Sequence, residues 1–275
     1  EVEATLMGAA ATLEVSNLRV ELTTRDGISP VIDDLSFSLR AGETLALVGE
    51  SGCGKSMTAL AMMGLLPHPV GRIAGGSIFF DGEDLVAASD RRLRDIRGND
   101  ISMIFQEPMT SLNPVYTVGE QIAEVLRRHQ GLGRRAAWEH AIELLNAVGI
   151  PDPAARVDSY PHQMSGGQRQ RVMIAIALAC KPKILIADEP TTALDVTVQA
   201  QIFDLLRNLQ RETGTTILLI THDMGAVCEL AERMMVMYAG RKVEEGGVDA
   251  VIAAPRHPYT KGLIDCVPHL SLIHI

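Results

Sequence analysis

The sequence predicts an α/β fold, a mainly parallel sheet covered by helices on both faces and interrupted by a helical insertion. Three observations carry this. Short apolar runs at 43–48, 184–187 and 216–220 have the length and composition of buried strands. The first runs into a glycine-rich loop, 49–56, and then into a helical pattern over 55–66. The stretch from about 120 to 179 carries no strand pattern and reads as mostly helical.

In chain order, 13–22 alternates apolar and polar residues as a half-buried strand does, and 31–39 does so less cleanly. A further strand is expected at 101–105 and a helix at 198–212, between the two later buried strands. The α/β core therefore occupies 11–105 and 180–250, with 106–179 inserted between its halves and a tail at 251–270. The chain opens at Glu1, and Met7 is the expected start; residues 271–275 continue no pattern and are expected to be a scar.

Composition narrows the function classes. A formal net charge of −9 argues against a nucleic-acid binder, which needs a basic surface to neutralise phosphates. Cys53, Cys180, Cys228 and Cys266 are scattered without a C-x-x-C pair, so neither a disulfide framework nor a zinc site is expected, and a reducing cytosol fits. The longest apolar stretches, such as 172–180, fall well short of the ~20 residues that cross a bilayer.

Gly49-Glu50-Ser51-Gly52-Cys53-Gly54-Lys55-Ser56 fits G-x-x-x-x-G-K-[ST] between a strand and a helix. Glycines let the backbone curl so that successive N–H groups face phosphate oxygens, and the following helix adds its positive end. In this pattern Lys55 reaches the β- and γ-phosphates and the Ser56 hydroxyl ligates Mg²⁺. The bland alternative is a glycine turn before a helix. A second feature, the apolar run 184–187 followed by Asp188 and Glu189, puts two acids at a strand's carboxyl end, where ligands of parallel sheets bind. Asp188 is expected to hold Mg²⁺ through water and Glu189 to polarise the attacking water. Alone, this pair reads more readily as a helix-capping Asp in a turn before Pro190.

Ser165-Gly166-Gly167-Gln168, after Met164, fits a capping box opening a helix that runs to 179. The two glycines leave N–H groups bare at that helix start, a second anion site in a chain that already has one. Together these segments resemble the ATPase subunits of ABC transporters, over 13–270, with Met164 replacing the leucine of the L-S-G-G-Q signature. The resemblance implies a P-loop NTPase (RecA-like) core with an antiparallel β subdomain and an inserted helical subdomain, in a single domain over 11–270. It implies that Ser165, Gly166, Gly167 and Gln168 complete the ATP site of a second subunit. It also implies that Gln106 touches Mg²⁺ and water, that Asp195 closes the D-loop Ala193-Leu194-Asp195, and that His222 contacts the γ-phosphate. The aromatic residue that the family stacks on adenine is absent from 13–30, and Arg25 offers its guanidinium plane instead.

Two segments resemble the peptide-importer branch, which includes dipeptide, oligopeptide and nickel systems: 106–114 with 117–121, and Pro255-Arg-His-Pro-Tyr-Thr260. In that branch the C-terminus continues into a cysteine-rich segment that can hold an iron–sulfur cluster; this sequence stops before it, and Cys266 alone gives no reason to expect a cluster. The resemblance implies ATP and Mg²⁺ as cofactors, two integral membrane permease subunits and a second ATPase subunit as partners, and an indirect link to a solute-binding protein. It places the chain at the cytoplasmic face of the membrane, with no nucleic acid involved. The competing reading is a soluble ABC ATPase acting on nucleic acid or ribosomes. Such proteins carry paired units, coiled-coil insertions or basic stretches, none of which is evident here.

Overall fold

A computed structural model describes residues 11–25, 27–106, 111–191 and 194–266. The first half contains β1 (Ala11–Thr24), β2 (Gly27–Arg40), β3 (Thr44–Val48), α1 (Lys55–Met62), β4 (Gly71–Phe80), β5 (Glu83–Asp84), α2 (Asp90–Ile96) and β6 (Ile101–Ile104). Then follow α3 (Val118–Gln130), α4 (Arg134–Ala147), α5 (Pro153–Arg156), a 3₁₀ turn at Pro161–Gln163, α6 (Gly166–Leu178), β7 (Ile184–Asp188) and α7 (Val196–Thr213). The chain continues with β8 (Thr216–Thr221), α8 (Met224–Leu230), β9 (Arg233–Tyr238), β10 (Arg241–Gly247), α9 (Val248–Ala253) and α10 (Pro258–Asp265). Two compact units result: 1–93 with 216–275, and 94–215.

The first unit holds an antiparallel sheet in the order β2-β1-β4-β5. In β1 the buried residues are Leu13 and Val15, then Leu18 and Val20, so the alternation slips by one residue. A bulge absorbs the slip. Asn17 takes φ +50, donates its side-chain amide to Asp34 Oδ1 at 2.7 Å, and donates its N–H to Ser36 Oγ at 2.8 Å. Gly76 faces this bulge; a Cβ there would lie 2.4 Å from the Asn17 carbonyl oxygen.

The same unit holds β10-β9-β3-β8, in which β3 runs parallel to both β8 and β9 and β10 closes the edge antiparallel. All five residues of β3 and all six of β8 are buried, as unbroken apolar runs in a parallel sheet require. Leu45 and Leu47 are fully buried, each stabilising the fold by about 1.5–3 kcal/mol. On one face, Ala46 and Val48 pack with Met224, Val227, Met234, Val236, Val248 and Val251. Arg233 closes the bottom of this sheet through Glu43, Glu245 and the Ser38 carbonyl.

In the second unit β6 pairs parallel with β7, and α3, α4 and α6 pack on one another. Ile122, Ala123 and Leu126 of α3 and Ala141 and Leu145 of α4 are buried, the spacing of one apolar helical stripe. Thr117 caps α3 by accepting from Glu120 N–H at 3.3 Å, and Gly131 at φ +64 ends it. The expected strands and helices are all present, with shifted ends: α1 stops at Met62 rather than 66, and β1 and β2 are longer than read. The strands β4, β5, β9 and β10 were not read from the sequence.

Candidate functional site: a phosphate loop, a carboxylate pair and a helix start

The phosphate loop leaves β3 at Val48 and enters α1 at Lys55. Gly49, Gly52 and Gly54 take φ +156, +82 and +108. Close approach also fixes Gly49, because a Cβ there would sit 2.4 Å from the Met237 carbonyl oxygen. Lys55 is buried, and its Nζ donates to Gly49 O at 2.7 Å and Glu50 O at 2.9 Å. The loop thus wraps the ammonium in its own carbonyls. Ser56 follows at the second residue of the helix, half-buried. The turn after β9 holds the loop, since Gly240 N–H donates to Cys53 O at 3.0 Å, and β2 lies close by: a Cβ on Gly54 would meet the Val31 carbonyl oxygen at 3.1 Å.

Burial pushes the Cys53 thiol above its ordinary pKa, and the nearby Lys55 charge, which pulls the other way, does not compensate. Below that pKa the thiolate fraction grows about tenfold per pH unit. Alkylation of Cys53 by iodoacetamide is therefore expected to accelerate steeply from pH 7 to 8.5 and to stop under saturating ATP, as read by mass spectrometry of the loop peptide. Labelling that is flat with pH counts against a buried thiol there.

His222 follows β8 in the same unit, exposed, and Asp223 caps α8 by accepting from Gly225 N–H at 2.8 Å. Arg25 is exposed beyond β1, and Asp26 lies outside the described residues.

In the second unit, β7 delivers Asp188, buried at its last position, and Glu189 just beyond it. Glu189 takes φ +46, a conformation that costs a non-glycine residue of order 1 kcal/mol and persists only where neighbours impose it. Two contacts do so. Gln106 donates from Nε2 to Glu189 Oε2 at 2.8 Å, and buried Gln170 donates from Nε2 to Pro190 O at 2.6 Å. Gln106 itself follows β6, the strand paired with β7, so the pairing of two strands aligns the amide with the carboxylate.

Gln170 belongs to α6, whose start is the glycine segment. Ser165 Oγ accepts from Gln168 N–H at 3.3 Å while Gln168 Oε1 accepts from Ser165 N–H at 3.0 Å, the capping box read from the sequence. Gly167 packs closely, since a Cβ there would touch Val198 at 3.3 Å in the first turn of α7. Gly166 is exposed, and a Cβ there would meet nothing within 4 Å, so close packing within the chain does not require glycine at this position. Asp195 caps α7 by accepting from Val198 N–H at 2.9 Å, whereas Ala193 lies outside the described residues. One cluster in this unit therefore unites Gln106, Glu189, the start of α6 and the cap of α7.

The family model described as ABC transporter matches residues 32–192, more than half of the chain. The chain belongs to the ABC transporter family. It is an ABC-type ATPase. A second model, described as the oligopeptide/dipeptide transporter C-terminal region, matches 243–272. The dipeptide transport ATP-binding protein DppD of Bacillus subtilis is 53% identical over 94% of this chain and 78% of its own length. A provisionally named peptide import ATP-binding protein of Brucella abortus is 58% identical over 95% and 79%. Among solved structures, a dimeric ATP-binding cassette in a post-hydrolysis state bound to ADP and Pi has TM-score 0.78 and 28% identity, over 86% of this chain and 98% of that one. CbiO1 of Clostridium perfringens, part of an ABC transporter complex, has TM-score 0.73 and 27% identity over 96% and 99%.

Three contacts of this chain are not legible in the sequence. Gln170 sits beyond the signature and looked like any polar helix residue. The Met237–Gly240 turn that supports the phosphate loop lies far from it in sequence, signalled only by a glycine at 240. Gln121, inside the family segment 117–121, staples the preceding loop by accepting from Asn113 N–H at 2.9 Å and donating to Asn113 O at 3.0 Å and Tyr116 O at 3.1 Å. Of the segment 106–114, residues 107–110 lie outside the described residues.

Proposed function

We propose that this ABC ATPase powers the import of di- and oligopeptides, pairing with a second ATPase subunit beneath two membrane permease subunits. The observation that carries the chemistry is the Glu189 carboxylate held by Gln106 at the carboxyl end of β7, with a strained backbone maintained around it. Support for the substrate class comes from 243–272 and from the peptide and dipeptide transport relatives.

In this reading the phosphate loop binds the nucleotide's phosphates through backbone N–H groups and Lys55. Glu189 accepts a proton from the attacking water, Gln106 orients it, and His222 steadies the charge that develops. The bare start of α6 at Ser165, Gly166 and Gly167, with Gln168, is assigned to the partner subunit's ATP, and Asp195 to the same shared surface. The oxygens assigned to Mg²⁺ suit a hard cation: the Ser56 hydroxyl, the Asp188 carboxylate and Gln106 Oε1, the amide oxygen that remains when Nε2 faces Glu189. When bound, the ion neutralises charge on the β- and γ-phosphates.

No helix among the described residues is long and apolar enough to cross a membrane. Docking on permease subunits at the cytoplasmic face supplies the membrane association in this reading. The loop that Gln121 staples carries Val115 and Tyr116, 70% and 53% exposed, apolar surface fitted to such a partner. A solute-binding protein then selects the peptide outside. The test is reconstitution with the neighbouring permease genes in vesicles. ATP-dependent uptake of a labelled dipeptide, with hydrolysis stimulated by loaded binding protein, is expected; hydrolysis indifferent to peptide together with no co-purification sinks the transport reading.

A further inference from the structure

The C-terminal tail reaches the phosphate loop. Tyr259, the second residue of α10, accepts a hydrogen bond at its phenol oxygen from Glu50 N–H at 2.9 Å. Glu50 is the second residue of the loop, and its carbonyl is one of the two that hold Lys55 Nζ. The same carbonyl accepts from Cys53 N–H at 3.3 Å. The peptide group that the phenol touches is thus next to the one that shapes the loop around its lysine.

Tyr259 is itself fixed from three directions. Its ring packs against Tyr238 with centroids 4.6 Å apart and planes tilted by 47°. Tyr238 ends β9, next to Met237, whose carbonyl lies against Gly49. The Tyr259 backbone N–H donates to His257 Nδ1 at 3.2 Å, so the histidine caps α10, with Pro258 at the first helical position. The Glu244 carboxylate of β10 then accepts from Arg256 N–H at 2.8 Å and His257 N–H at 3.0 Å, anchoring the segment before the helix. Tyr259, Leu263 and Ile264 pack on the core that contains Ala46 and Val48, the strand leading into the loop.

We propose that Tyr259 is a positioning residue of the nucleotide site. It sets the first turn of the phosphate loop through Glu50 N–H, so that the C-terminal region from Glu244 to Tyr259 tunes affinity for ATP. A tail segment that looked like an ordinary turn in sequence is, on this geometry, a strut for the loop. Whatever shifts α10, including continuation of the chain or a docked partner, then acts on nucleotide affinity without touching the nucleotide.

The proposal rests on the reading of 49–56 as an ATP site, and the experiment separates the two. Tyr259→Phe removes the phenol oxygen and keeps the ring against Tyr238. Titration with a fluorescent ATP analogue and Mg²⁺ is expected to show affinity weakened about fivefold, the scale of one neutral hydrogen bond. The KM for ATP should rise in parallel while kcat changes less than about twofold, a split that a general loss of structure does not produce. Hydrogen exchange of the loop peptide containing Glu50 is expected to quicken, with β1 and β2 unaffected. Glu244→Ala, which frees the segment and leaves the phenol intact, should weaken affinity similarly, and the double variant should be no weaker than the worse single one. Unchanged affinity and exchange in Tyr259→Phe, or fully additive losses in the double variant, overturn the strut. If the unsubstituted chain fails to bind ATP, the nucleotide reading falls first and the strut with it.

Discussion

Glu189→Gln is expected to lower kcat for ATP hydrolysis by about 10³-fold while leaving ATP affinity within a few-fold of the unsubstituted chain. The substitution keeps shape and removes basicity. Gln106 can still donate to the amide oxygen that replaces Oε2, so the 2.8 Å contact and the positive-φ backbone both persist. What is lost is the ability to take a proton from water, which is worth 10²–10⁴ in rate where a positioned base does it. Steady-state phosphate release measures kcat, and equilibrium titration measures affinity. A variant retaining more than about a tenth of the rate removes Glu189 from the base role.

The same variant tests the shared site. If hydrolysis reopens a pair of cassettes, blocking it traps the pair, and light scattering across a size-exclusion column should show Mg²⁺-ATP shifting Glu189→Gln from monomer to dimer. Adding Ser165→Arg should abolish the shift. Ser165 is exposed, so the arginine adds bulk and charge at the surface assigned to the partner rather than in this chain's core. A chain that binds ATP and stays monomeric points to a distinct paralogue as partner.

The parts most legible in the sequence share a property: their chemistry is local. The phosphate loop is recognisable because glycines and a lysine at fixed spacing are what a phosphate cradle needs, whatever surrounds it. Ser165 and Gln168 cap a helix through atoms three residues apart, and the strand read over 184–187 is apolar in every residue. What escaped is non-local. The alternation in β1 breaks at Asn17 because a bulge paired with Asp34, Ser36 and Gly76 absorbs one residue, and those partners lie far along the chain. The glycine pair at 75–76 hid β4, and the charges of β10 hid an edge strand that is half-exposed. The left-handed backbone of Glu189 could not be foreseen from its residue type, since Gln106 holds its carboxylate from 83 residues away and Gln170 holds the next residue, Pro190, from 20. Tyr259 was visible only as part of a family segment, because its contact with Glu50 spans 209 residues.

Lys55→Met is expected to weaken ATP binding at least about 100-fold, roughly 2.7 kcal/mol. Methionine is a near-match in volume and flexible, so packing at this buried position changes little. The charge goes, and with it two effects of opposite visibility. In the loop by itself, Gly49 O loses the ammonium at 2.7 Å and Glu50 O keeps only the Cys53 N–H of its two donors, at about 1–3 kcal/mol for an acceptor left unmet, so Tm should fall by a few degrees. With nucleotide present, the loss is larger. Backbone carbonyls satisfy the N–H groups of Lys55 without neutralising its charge, so the ammonium remains a full cation at the point where the triphosphate's charge is greatest. Calorimetric titration with Mg²⁺-ATP measures the affinity and scanning fluorimetry the stability. Lys55→Arg separates the two effects, because it keeps the charge but offers a planar fork where the loop holds a compact tetrahedral donor. It should recover only part of the affinity. Should Lys55→Met bind ATP within about fivefold of the unsubstituted chain, the lysine is a structural pin of the loop and the phosphates are held by the backbone alone.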